Sequence, residues 1–203
     1  MKKRIVTLAT LVGAVAPVVA LAPKASRRRG DVPDLSSAVD ACRASGRDGW
    51  ELVGFATRLV NDTYEHYSAW HLWVSPDRSL ERAQGLSLQY NQALAEVLRR
   101  LGFDVAVVQS ARVRHETPRP WWLAGHVWLR VTIGAHTRDV CAGNGRNRPG
   151  DVDFVPVSDV RPFRAISHLG LCTLGVVPVT WTVWRSWITG DHVPAWLYRP
   201  FTH

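Results

Sequence analysis

Three residues of this sequence have the types and order that acyl-transfer chemistry requires: Ser87, His126 and Asp139. In that chemistry a nucleophile sits at the N-terminus of a buried helix. An imidazole on a neighbouring strand takes its proton, and an acid on the next strand orients the imidazole. In an active enzyme of this kind Ser87 would attack an acyl or amide carbon, His126 would shuttle the proton and Asp139 would hold His126, with Gln89 or a backbone N–H near Ser87 facing the developing oxyanion. Trp128 and the tryptophans before it are candidates to line a cleft. A serine in that role needs general-base help, because a helix N-terminus that favours a thiolate cannot ionise a hydroxyl.

Such a constellation needs a particular set of elements. Leu86 to Leu101 has the clearest helical period, with Leu86, Tyr90, Ala93, Leu94, Val97, Leu98 and Leu101 on one face and Gly102 as its stop. Arg99 and Arg100 sit in its last turn, beside the negative end of the dipole. Leu35 to Ala44 and Trp50 to Tyr67 also read as helices, and Trp70 to Gln84 as irregular. The period then changes to two. Strands are expected within Phe103 to Arg114, at Gly125 to Ile133, at Thr137 to Ala142 after a turn at Gly134, and at Val152 to Val157. Thr117 to Trp122 and Asn144 to Gly150 read as loops. The fold class is α+β, a central helix packed on an antiparallel sheet.

The order of motifs resembles the transglutaminase-like superfamily. Gly85-Leu86-Ser87 stands where that family has Gly-x-Cys, followed by Leu101-Gly102, His126-Val127-Trp128 and Asp139, and Tyr67-Ser68 looks like the lead-in. A narrower window is similar to the arylamine N-acetyltransferases, whose Glu and Asn after the cysteine are matched by Gln89 and Asn91, with echoes at Leu101-Gly102-Phe103, Ala111-Arg112-Val113 and Asp139-Val140. The resemblance covers about 110 residues, Trp50 to Phe163. It implies a papain-like fold, Ser87 in place of the nucleophilic cysteine, and a cleft for a peptide or amide-like ligand without a cofactor. The reading it favours is a catalytically degenerate domain. The rivals are an active Ser-His-Asp acyltransferase, amidase or peptidase, and a membrane-attached structural protein.

Plainer roles compete for each residue. Ser87 could be the helix N-cap, His126 a satisfied core histidine, Asp139 a surface strand residue. Cys141, two residues past Asp139 and on the same strand face, reads as structural or disulfide-bonded rather than as a relocated nucleophile. With Cys42 and Cys172 it makes an odd count that allows one disulfide in three pairings.

The 203 residues suffice for one domain with a core. The net charge of +8 is misleading, because seven of the 25 basic residues fall in the first 29 positions, which hold no acid. The remaining 18 face 17 acids, so the body lacks the basic stripe of a nucleic-acid binder. Lys2-Lys3-Arg4 followed by apolar Ile5 to Ala22 reads as a cleaved export signal, an uncleaved anchor or a buried helix. The first two place the protein outside the cytoplasm, secreted or membrane-anchored. The expected organisation is a targeting segment over 1–29, a domain over 30–165, and a Trp-rich stretch over 166–203 packed on that domain or touching a membrane.

Overall fold

The computed structural model describes residues 2–21, 32–68, 74–116, 125–194 and 197–200. The chain is mixed α+β, with helices α1 (Lys2–Ala20), α2 (Leu35–Ala44), α3 (Gly49–Thr63), α4 (Pro76–Arg82), α5 (Ser87–Arg100) and α6 (Ala165–Thr189). The strands are β1 (His66–Ser68), β2 (Gln84–Gly85), β3 (Asp104–Ser110), β4 (Val113–His115), β5 (His126–Ile133), β6 (His136–Val140), β7 (Phe154–Pro156), β8 (Val160–Pro162) and β9 (Tyr198–Pro200).

The main sheet runs β6-β5-β3-β8, antiparallel throughout. Helix α5 packs on β3 and β5 and is itself flanked by α2, α3 and α4. Its apolar stripe explains this central place: Ala93, Leu94, Ala95, Val97 and Leu98 are fully buried. They join Val53, Val60, Trp128, Leu129, Val131 and Val140 in one core. Gly102 ends the helix at φ 90°, a left-handed conformation that costs glycine little. Two small pairings complete the domain, β4 with β7 and a three-stranded set in which β1 is parallel to β2 and antiparallel to β9.

The segment expected to be irregular contains α4, opened by Ser75, whose side chain caps Arg78 N–H, and by Pro76 at the first helical position. The helix expected to run to Tyr67 ends at Thr63, and residues 66–68 turn into a strand. The predicted loop over residues 117–122 lies outside the described residues.

A second, smaller core lies apart from the first. Val18 of α1, Val179 and Val183 of α6, and Leu197 are buried together, with Leu86, Trp184, Trp187 and Val193 packed around them. The Trp184 indole N–H donates to the Ala14 carbonyl at 2.8 Å, tying α6 to α1. Among the described residues no helix is long and apolar enough to cross a membrane.

Candidate functional site

The site lies where β5 begins and the chain leaves β6. The ladder sets Leu129 opposite Val140 and Arg130 opposite Asp139. Continuing that register puts Trp128 opposite Cys141 and His126 opposite Gly143. Side chains on one strand face alternate, so His126, Trp128, Arg130, Asp139 and Cys141 share a face. The His126 imidazole Nε2 lies 3.4 Å from Cys141 Sγ, within hydrogen-bonding range of sulfur.

The Cys141-Ala142-Gly143 tripeptide is clamped by three buried asparagines. Asn91 on α5 accepts from the Ala142 N–H at 3.0 Å and donates to the Val127 carbonyl at 2.7 Å. Asn61 on α3 donates to the Ala142 carbonyl at 2.9 Å, and Asn147 donates to the Cys141 carbonyl at 3.1 Å. Two N–H groups also approach the sulfur, Asn91 Nδ2 at 3.5 Å and the Gly143 backbone at 3.3 Å. Glycine at position 143 leaves room for Tyr90, since a Cβ there would meet Tyr90 Oη at 2.7 Å and force the ring to shift.

Aromatic rings close around the imidazole. Phe154 stands edge-on at 4.6 Å, Trp128 is stacked at 6.2 Å, and His115 is edge-on at 5.6 Å between centroids. Burial pushes the imidazole pKa down to about 3, with His115 adding to the fall and Asp153 opposing it. Burial pushes the Cys141 thiol up to about 12, and the Asn91 and Gly143 donors only partly offset this. Both groups are therefore neutral near pH 7, a thiol against an imidazole and not a thiolate–imidazolium pair. Asp153 is held by the amides of Asn144 at 3.1 Å and Asn147 at 3.2 Å. It contributes its field, with no hydrogen bond to His126 among the described residues.

The residues expected from the sequence are brought together only in part. Ser87 is the first residue of α5, but the N-cap is Leu86. No hydrogen bond joins the Ser87 hydroxyl to His126. Ser87 precedes Asn91 by four residues, so both lie on one helix face, and Asn91 reaches the sulfur. Asp139 does not orient His126. Its carboxylate takes Arg130 Nε at 3.0 Å, directly across the ladder. The reason is distance along the strand: Arg130 is four residues past His126, about 13 Å at strand rise. Gln89 is likewise committed, its Oε1 accepting the Leu86 N–H at 3.1 Å, which caps the helix. Trp128 is fully buried, so it packs the site instead of lining an open cleft, and its indole N–H has no acceptor among the described residues.

Sequence reasoning underweighted Cys141 and passed over His115, Asp153, Phe154 and the asparagine clamp. Cys42 and Cys141 are both free thiols, so neither forms the disulfide that the odd count allowed. The Cys172 side chain lies outside the described residues. No family model matches the chain, and no curated protein does either. What the coordinates define is a mixed α+β domain with an antiparallel sheet and a buried, uncharged thiol–imidazole pair beside the start of its central helix.

Proposed function

We propose that the domain is of transglutaminase-like fold and is catalytically silent, keeping the family's site as an uncharged polar pocket for a peptide or amide-like ligand. The order of central helix, His-bearing strand and paired strand supports the fold. The contact between His126 Nε2 and Cys141 Sγ carries the functional reading. In a catalytic triad one ring nitrogen faces the nucleophile and the other a carboxylate, which stabilises the imidazolium formed during attack, whereas here Nε2 is taken up by a thiol. A thiol held neutral by burial gives no such help, and Ser87 is too weakly acidic to react without it.

The test is to rebuild the missing charges. Ser87→Cys combined with Cys141→Asp should gain thiol-dependent acyl transfer from a glutamine-containing peptide or an activated ester, whereas Ser87→Cys alone should gain far less. If the unaltered protein already turns over such substrates, or if the folded double variant gains nothing, the reading fails. A second reading rests on the same contact, with Cys141 as a nucleophile and His126 as its base. It requires a thiol-directed probe to label Cys141 in the native protein and to lose that labelling in His126→Gln.

A further inference from the structure

Beyond the pocket, we propose that the α1/α6 pair docks the protein on a lipid bilayer whose surface is rich in anionic headgroups. Helix α1 is apolar around its circumference after residue 4, and α6 covers only one side of it. Ile5, Val6, Leu11, Val12 and Leu21 remain 51–68% exposed. On α6, Val177, Trp181 and Ile188 are 62%, 70% and 79% exposed. A helix apolar on all sides belongs in a protein core or in lipid, and among the described residues nothing covers these faces.

The charge pattern selects the occupant. Neither helix contains an acid, and α1 opens with Lys2, Lys3 and Arg4. Those cations sit at the end of the helix where the dipole is already positive, an arrangement that an anionic surface relieves. Lys24, Arg27, Arg28 and Arg29 follow in the sequence, so the first 29 residues carry seven positive charges and no negative one, while the rest of the chain is near neutral. Basic residues beside exposed apolar helix faces match the two attractions of an anionic bilayer. A second copy of the chain would bring two such arms together and repel itself. Trp181, an indole with an apolar body and a polar edge, is suited to the headgroup boundary.

Flotation of the full chain with vesicles tests this. The protein should float with vesicles of phosphatidylcholine plus phosphatidylglycerol, much less with phosphatidylcholine alone, and less at high salt. Replacing Lys2, Lys3 and Arg4 together with Gln should weaken binding to the anionic vesicles by about a hundred-fold. Val12→Asp and Trp181→Asp, both at exposed positions, should each lower it at least about ten-fold with unchanged thermal unfolding. Quenching of tryptophan emission by brominated lipid should fall in Trp181→Phe. Absence of flotation, flotation indifferent to lipid charge and salt, or a concentration-dependent dimer that vesicles do not dissolve would overturn the proposal.

Discussion

At the scale of single residues, the uncharged state of His126 has a consequence in acid. The unfolded chain takes up a proton near pH 6.5, and the buried imidazole refuses one until about pH 3. Stability should therefore fall as pH drops through that window, by roughly 4–5 kcal/mol at its lower end. Urea midpoints measured from pH 7 to pH 4 should show this slope, and a folded His126→Gln variant should lose most of it. The thiols give a second expectation. Cys141 and Cys42 are pushed up to about 12 and about 11 by burial, so neither is a thiolate at pH 8. Iodoacetamide at pH 8 should leave both unmodified in the native protein, as read by peptide mass spectrometry, and should modify both after denaturation. Rapid native modification of Cys141 would favour the nucleophile reading over the silent one.

At the scale of elements, Asn91 is the strut between α5, β5 and the turn after β6. Asn91→Leu removes its bonds to Val127 and Ala142 and leaves a buried carbonyl and a buried N–H unmet, so it should cost about 2–5 kcal/mol. Chemical denaturation would measure this, and a loss below about 1 kcal/mol would show that water replaces the amide. Gly85 is fixed for a different reason, since a Cβ there would meet Ser79 Oγ at 2.6 Å and Gln89 Cβ at 2.8 Å. The same scale shows what the sequence could disclose. Helix α5, its glycine stop and the β5–β6 hairpin around Gly134 were legible, because periodicity and turn chemistry are local. Helix α4 was not, being one short amphipathic turn or two in a polar stretch. The choice between Asp139 and Cys141 as the partner of His126 was not legible either. Residues two apart on a strand share a face, so alternation names the side of the sheet and leaves open which pair of strand positions meets. Only the ladder register decides that, and it gives Asp139 to Arg130.

At the scale of the molecule, two apolar clusters stabilise different parts of the chain. Val183 is fully buried in the smaller one, and Val183→Ala should lower protection of α1 and α6 amides in hydrogen exchange while the β3–β5 amides keep theirs. Uniform loss of protection across both would mean that the two clusters melt as one unit. Leu86 packs against the small cluster and is the N-cap of α5, one residue before Ser87. The outer helices therefore touch the chain at the residue that caps the central helix. Leu86→Ala should loosen the smaller cluster, while the Gln89 cap of α5 persists because it uses the backbone N–H of residue 86.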